Sequence, residues 1–416
     1  MIRENHDIVI IGGGPAGLAA AIAAKKNGCD DVLVIERDRV LGGILNQCIH
    51  DGFGLEVFKE ALSGPEYADR YIKQVHELGI PVMENAIVTD LSNDKKVIVT
   101  KEGEMKEIQA KAVILAMGCR ERTRGALSIP GDRPAGVYTA GTAQNLINLE
   151  NIMPGKKVCI LGSGDIGLIM ARRMALEGAE VKAVYEVLPY PSGLQRNIRQ
   201  CLMDYNIPLY LKKTVTNIHG EKGRLVGITV SDVDDMRHPI KGTEEYVPCD
   251  TLLLSVGLIP ENELSTEAEV PLSPITQGAE VDDTRMTKVE GIFSCGNVLH
   301  VHDVVDFVSK EAEIAGKHAA LYVQGKRKPD NGTVKVKTGF GVRYIVPQEI
   351  KDGQDVTLLF RVYSPMPRSD VEIVSDTGKV IKKFRPLALH PSEMHRIRIG
   401  NIDTTEIKSV EVRVKW

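Results

Sequence analysis

Residues 7–36 read DIVIIGGGPAGLAAAIAAKKNGCDDVLVIE. Ile8 to Ile11 form a short apolar run, the pattern of a buried strand. Gly12, Gly14 and Gly17 follow at GxGxxG spacing, with Pro15 and Ala16 between the last two. An alanine-rich helical segment comes next, then a second apolar run, Val32 to Ile35, which ends on Glu36. Gly12 permits a tight turn out of the strand, Gly14 lets backbone N–H groups approach a pyrophosphate, and Gly17 lets the helix pack closely on the sheet. The helix N-terminus offers a positive dipole end and free N–H donors. Glu36, nineteen positions after Gly17, can accept from ribose hydroxyls. A lone GxGxxG is a weak signal. Strand, glycines, helix, strand and acid in this order make it a dinucleotide site rather than a bare glycine-rich turn.

The pattern recurs at residues 156–186, KKVCILGSGDIGLIMARRMALEGAEVKAVYE. Gly162, Gly164 and Gly167 again follow a strand, and Glu186 again lies nineteen positions beyond the third glycine. This internal repeat implies two dinucleotides, or one dinucleotide and a related cofactor. Glu186 is followed by Val187, Leu188 and Pro189, without Arg or Lys. A carboxylate favours a free ribose 2′-OH and repels a 2′-phosphate, so NAD(H) is preferred over NADP(H). Arg196 and Arg199 lie further on, within reach of folding back.

Two further apolar strands end in glycine, residues 112–118 (AVILAMG) and 249–257 (CDTLLLSVG). Gly118 and Gly257 let the chain turn sharply beside a bound cofactor. Residues 289–307, VEGIFSCGNVLHVHDVVDF, give a strand, Gly296 and Asn297, and then a helical run through Ala320. Asn297 can bond a ribityl or phosphate group. Residues 37–54, RDRVLGGILNQCIHDGFG, place the paired Gly42 and Gly43 in a loop. Residues 55–78 are helical in pattern, with Tyr67, Tyr71, Val75 and Leu78 at three-to-four spacing, and residues 80–88 and 96–100 read as strands.

A length of 416 residues predicts two to three domains. A net charge of −4 and a pI near 6.2 point away from nucleic acid or an anionic membrane as partner. Seven cysteines are scattered, with no CxxC or CxxxxC pair. That argues against a zinc knuckle, a cysteine-ligated iron–sulfur cluster or a redox dithiol, and suits a reducing cytoplasm. The charged start MIRENHD predicts no signal peptide, and no stretch approaches the roughly 20 apolar residues of a membrane span. The expected location is cytoplasmic.

In the order GGGPAG with Glu36, ILAMG, GSGDIG with Glu186, LLLSVG and IFSCGN, the chain resembles the two-dinucleotide-binding-domain flavoproteins of the glutathione and thioredoxin reductase superfamily. The likeness covers about residues 5–325. It implies an α/β fold of two Rossmann-like three-layer domains, with an NAD(H) domain (123–284) inserted between the halves of an FAD domain (1–122 and 285–330). It implies FAD on Gly12, Gly14, Pro15, Ala16, Gly17, Glu36, Gly296 and Asn297, and NAD(H) on Gly162, Gly164, Gly167 and Glu186. Gly42, Gly43, Gln47, Gly118 and Gly257 complete the expected cofactor contacts. Asp is usual where Asn297 stands; the amide keeps hydrogen bonding and loses the charge.

The departures from the family are informative. Its disulfide reductases carry a CxxxxC shortly after the paired glycines, and those positions here are Leu45 and His50. The CxxC of the thioredoxin reductases is missing as well. Electrons therefore leave the flavin for some other acceptor. The segment GGILNQCIHDGFG resembles a narrower group, the FAD subunits of hydrogen cyanide synthase, opine oxidase and dye-linked proline dehydrogenase types, and reductases found beside anaerobic glycerol-3-phosphate dehydrogenases. His50 falls where the family's flavin-facing thiol sits, so it is either a proton shuttle or a loop histidine bonded to backbone. Cys48 is either a thiolate stacked on the ring or a plain buried thiol. Residues 300–303, HVHD, offer no identifiable third ligand, so no metal is expected; they read as polar residues facing the flavin edge or a partner. Asp306 and Lys310 read as an exposed i,i+4 pair.

The resemblance implies an FAD-dependent oxidoreductase that moves hydride between nicotinamide and flavin and exchanges electrons with a partner protein or a small acceptor, without a redox-active disulfide. The alternatives are an FAD subunit of an amine or imino-acid dehydrogenase complex and a non-enzymatic FAD/NAD docking protein. After a Pro/Gly linker (325–332), residues 333–416 alternate apolar and polar, with turns at Asp352-Gly353 and Thr377-Gly378. They read as an antiparallel β-sandwich, a partner-binding or dimer-forming module.

Overall fold

Ile8 and Ile10 face one core while Val9 and Ile11 face another, so the first strand, Ile2–Ile11, is buried on both sides near its end. That is the setting of a parallel sheet covered by other layers. In the computed structural model, which describes residues 2–327 and 332–415, this strand lies between Val32–Ile35 and Glu104–Leu115, parallel to both. Val82–Met83 extends one edge, and Ile292–Ser294 pairs in parallel with the end of Glu104–Leu115. Lys96–Lys101 and Ala86–Leu91 continue the sheet antiparallel. Helices Pro15–Lys26, Gly64–Glu77 and Val305–Val323 cover one face.

The chain forms two compact units, residues 1–119 with 260–416, and residues 120–259 inserted between them in sequence. The inserted unit thus closes at Ile259, not at the predicted residue 284. Ala268, Val270, Ala279 and Val281 are buried in the core under the first sheet, which draws residues 260–284 into the first unit. The second unit has a parallel sheet in the order Leu209–Leu211, Glu180–Glu186, Lys157–Leu161, Thr251–Leu254, Val137–Thr139. Helices Asp165–Leu176, Ala140–Asn148 and Gln195–Cys201 pack on one face. A three-stranded antiparallel meander, Lys213–Glu221, Arg224–Asp232 and Glu245–Pro248, joins a core on the other. Each unit is thus a Rossmann-like α/β layer structure.

Residues 333–415 form a sandwich of a five-stranded and a three-stranded sheet around their own apolar core. It is not wholly antiparallel, because Val334–Thr338 pairs in parallel with Ser409–Lys415. It is not detached either: Val346 is buried in the core under the first sheet, and Gln348 exchanges bonds with the backbone of Val281. Part of the predicted linker, residues 328–331, lies outside the described residues.

Two predicted elements are shorter in the structure. The helix expected over 55–78 spans only Gly64–Glu77, started by a capping box between Ser63 and Glu66. The strand expected over 80–88 breaks at Asn85, whose φ is 53°, into Val82–Met83 and Ala86–Leu91. No helix among the described residues is long and apolar enough to cross a membrane.

Candidate functional site

Both glycine turns are built from the same bonds. In the first unit, Gly12 N donates to Ile35 O (2.8 Å) and Ala116 N to Ile11 O (2.9 Å). In the second, Gly162 N donates to Tyr185 O (2.7 Å) and Ser255 N to Leu161 O (2.7 Å). Gly12 and Gly162 have φ of +107° and +94°, and a Cβ on either would stand 2.5 or 2.1 Å from the oxygen of Ala116 or Ser255. The acids close the turns alike. Glu36 accepts from Gly13 N (2.6 Å) and Asp38 N (2.8 Å). Glu186 accepts from Ser163 N (3.0 Å) and Leu188 N (3.0 Å). Both carboxylates are buried. Glu186 alone also takes the hydroxyls of Ser163 (2.5 Å) and Ser192 (2.8 Å). Neither serine is marked by a spacing rule, and only the fold brings Ser192 back to the acid.

The two turns fit nucleotide phosphates. Helix Pro15–Lys26 starts on Gly14 with Pro15 in its first turn, no side-chain cap and no acid there, an N-terminus suited to receive an anion. Helix Asp165–Leu176 starts on Gly164 without a side-chain cap too, and its one early acid, Asp165, is turned onto Leu194 N (2.8 Å) and Asn197 Nδ2 (2.7 Å). Gly42 (φ +107°) and Gly43 (φ +55°) line the first turn: Gly42 N donates to Gly13 O (2.9 Å), and a Cβ on Gly43 would lie 3.2 Å from Gly14 Cα. Gly118 and Gly257 also hold positive φ, with open space where a side chain would begin. Arg196 and Arg199 are exposed on Gln195–Cys201, whose Asn197 faces Asp165.

After the paired glycines the chain makes a short 3-10 helix, Gly43–Gln47, which buries Leu45 and Gln47. Cys48 Sγ donates to Ile44 O (3.3 Å), and burial pushes its thiol up to about 12. It is therefore a thiol at neutral pH, not the thiolate that ring stacking needs. His50 lies against Phe53, with ring centroids 4.9 Å apart, and its Nδ1 is 3.1 Å from Asp51 O. Asn297 bridges two motifs: its Oδ1 accepts from His302 N (3.0 Å) and its Nδ2 reaches Cys119 Sγ (3.6 Å), beside Gly118. The amide of Asn297 thus supplies one acceptor and one donor to this junction.

The HVHD residues part company. Asp303 pairs with Arg361, whereas His300 and His302 share a third partner that the sequence pattern does not single out, Glu311. Glu311 is buried and receives four donors: Arg285 Nε (3.0 Å), His300 Nε2 (3.0 Å), His302 Nε2 (2.9 Å) and Gly296 N (3.1 Å). Arg285 already serves as the cation of this carboxylate, and a divalent ion there would stand beside a buried guanidinium. The ligand atoms of the three side chains lie within 4.8 Å of one another, so Glu311 is the third ligand that the HVHD pattern lacks, and the bonded Arg285 weighs against a cation beside it. Glu311 is detectable in principle, since helical spacing places it among the buried Val308, Ala315 and Ala319.

Asp306 and Lys310 do not pair. Asp306 is fully buried and accepts from the backbone N–H groups of Gly54 (3.0 Å), Glu56 (3.1 Å) and Val57 (2.8 Å), while Lys310 lies 3.6 Å from Glu56. Phe58 N bonds Gly54 O (2.8 Å), so Asp306 caps a single helical turn, which the left-handed Lys59 (φ 58°) ends before the helix at Gly64.

Comparisons with known proteins bear on the chain at three levels. The family described as pyridine nucleotide-disulphide oxidoreductase matches residues 6–319. An opine oxidase subunit of Agrobacterium tumefaciens (strain Ach5) is 25% identical over 77% of this chain, which spans 65% of that relative's length. A ferredoxin–NADP reductase of Ignicoccus hospitalis is 26% identical over 77% of this chain and 98% of its own. Among solved structures, the thioredoxin reductase of T. acidophilum superposes with a TM-score of 0.62 at 23% identity, covering 77% of this chain and 98% of that one.

Proposed function

This chain belongs to the pyridine nucleotide-disulphide oxidoreductase family, and from that premise we propose that it is an NADH-linked flavin reductase or dehydrogenase subunit without a redox-active disulfide. Membership implies an FAD-dependent NAD(P)H oxidoreductase. The observation that carries the finer reading is the duplicated turn: Gly13 N on Glu36 in one unit, Ser163 N on Glu186 in the other. We assign FAD to the first turn, with Gly12, Gly14, Pro15, Ala16, Gly17, Glu36, Gly42, Gly43, Gln47, Gly118, Gly296 and Asn297 around it. We assign NAD(H) to Gly162, Gly164, Gly167, Glu186 and Gly257. When bound, the two cofactors supply the hydride transfer between nicotinamide and flavin. The chain's own residues bind, align and exclude water. Leu45 and His50 stand where a dithiol would be, and the Cys48 thiol is held protonated; both support an acceptor outside the chain. Of the two candidate catalytic residues, we assign proton transfer to His50, whose Nδ1 lies against Asp51 O as in a backbone-bonded loop histidine, and keep Cys48 as its half-buried thiol neighbour.

The relatives bear the names of a ferredoxin reductase and an oxidase subunit, and by that likeness we take the electron partner to be another protein. The opine oxidase relative favours one second reading, the FAD subunit of an amine or imino-acid dehydrogenase complex. Anaerobic titration decides among these. NADH is expected to bleach the flavin absorbance within the mixing time of a stopped-flow experiment. Bleaching by an amine or imino acid but not by NADH selects the second reading, and tight FAD with no bleaching by any donor leaves a docking protein.

Glu186 should set the nucleotide preference. Glu186→Gln removes the charge that repels a 2′-phosphate and keeps the side-chain volume. The NADH-to-NADPH ratio of flavin reduction rates should fall at least about tenfold, the size of one lost charge interaction near a protein surface. An unchanged ratio removes Glu186 from nucleotide selection.

A further inference from the structure

Val356–Val362, the middle strand of the three-stranded sheet, turns Val356, Leu358, Phe360 and Val362 into the sandwich core. Arg361 alternates to the opposite face. That face is covered. Val346 of the neighbouring strand enters the core under the first sheet, and Arg396 of the other neighbour lies 4.1 Å over the ring of Phe307. Arg361 itself is only 12% exposed and donates in four directions, to Tyr344 Oη (3.1 Å), Pro391 O (3.1 Å), Val301 O (3.2 Å) and the carboxylate of Asp303. The other oxygen of Asp303 accepts from Met394 N.

Asp303 ends the loop that begins at Gly296. Its inner side is fixed by Glu311, which holds Gly296 N and both histidines, and by Asn297, which holds His302 N. Its outer side is fixed by Arg361, at Val301 and Asp303. We propose that Arg361 is a positioning residue for the flavin, and that the β-module is an internal clamp which fixes loop 296–303 in the shape that receives FAD. The inference rests on the placement of FAD in the first unit. A planar guanidinium with four fixed acceptors is rigid, and its removal takes the cation from the part-buried Asp303 carboxylate and a donor from Val301 O. The loop must then move to rehydrate them, and Gly296 and Asn297 move with it.

The test uses the full chain and four substitutions. Arg361→Met should weaken FAD binding by about tenfold or more, the loss of one charge-assisted contact, read by flavin fluorescence. It should also alter the visible circular dichroism of the bound flavin. Arg361→Lys, which keeps the charge, should restore part of both. Glu372→Gln breaks ion pairs to Arg413, Lys383 and Lys415 within the module and should leave both flavin readouts unchanged, even where it lowers the melting temperature. Wild-type affinity and spectrum in Arg361→Met overturn the proposal, as does an equal loss in Glu372→Gln, which would make module stability the cause. If Arg361→Met does not fold, Asp303→Asn removes the same charge pair at constant volume, and a wild-type flavin signature there overturns it equally. Wild-type chain that binds no FAD instead overturns the functional reading beneath it.

Discussion

Glu311→Gln is expected to destabilise the first unit by about 3–5 kcal/mol, the range measured when one partner of a buried pair is removed. The substitution keeps the shape and removes the charge, which leaves Arg285, 2% exposed, without its counter-ion. Each oxygen takes two of the four donors, so two of them must also face an amide N–H. For contrast, Glu177→Gln breaks the half-exposed pair with Arg173 and should cost under about 1 kcal/mol. Urea unfolding at neutral pH compares the two, and equal midpoints would sink the network's role.

The same network sets the acid response. Burial alone would raise the Glu311 carboxyl, but His300, His302 and Arg285 together hold it well below the ordinary carboxylate range. Burial likewise holds His300 neutral, its pKa depressed from 6.5 to about 4, and does the same to His318 on the helix that carries Glu311. An unfolded histidine takes up a proton below 6.5 and the folded one does not until about 4, so the unfolded chain binds more protons in this window. Stability is therefore complete above pH 6.5 and falls between 6.5 and 4, by up to about 3 kcal/mol per histidine. Below about 4.5 the depressed Glu311 adds a further loss. A urea midpoint that stays flat from pH 7.5 to 4.5 contradicts neutral buried histidines.

Both glycine turns are legible in the sequence because a turn of this kind is local: Gly12 to Glu36 and Gly162 to Glu186 each close within one strand–helix–strand unit. The close approach of Ala116 to Gly12 and of Ser255 to Gly162 is legible only in part, as two apolar strands that end in glycine. The groups that hold the candidate site together are not legible, because their partners are remote. Asp306 bonds residues about 250 positions earlier, and Arg361 bonds Asp303 across 58 positions. A polar residue at helical spacing with a lysine reads as a solvated pair unless its distant backbone partners are known, and Asp306 is such a residue. The boundary at residue 284 fails similarly: Ala268 and Val281 are apolar in either unit, and only long-range packing assigns them.

Gly17→Ala should remove both fold and flavin from the first unit, whereas Gly14→Ala should remove the flavin alone. A Cβ on Gly17 would stand 1.8 Å from Gly12 O and 3.0 Å from Gly12 C. Both are backbone atoms of the turn itself, so helix Pro15–Lys26 cannot take the methyl group without lifting off the sheet that buries its alanine face. Overpacking of this kind costs about 3 kcal/mol or more where backbone must move. Gly14 differs, because its φ of −79° suits any residue and the nearest atom to a Cβ, Gly43 Cα, is 4.0 Å away. The folded chain should lose no more than about 1 kcal/mol there, the difference between Gly and Ala at a helix N-cap. The added methyl points into the gap between the paired glycines and the helix N-terminus, where the pyrophosphate is assigned, and FAD affinity should drop about tenfold or more. Thermal unfolding of the apo chain and flavin fluorescence separate the two effects. A Gly14→Ala protein with wild-type FAD affinity moves the flavin out of this turn, and a Gly17→Ala protein with wild-type stability shows that the helix does not rest on Gly12.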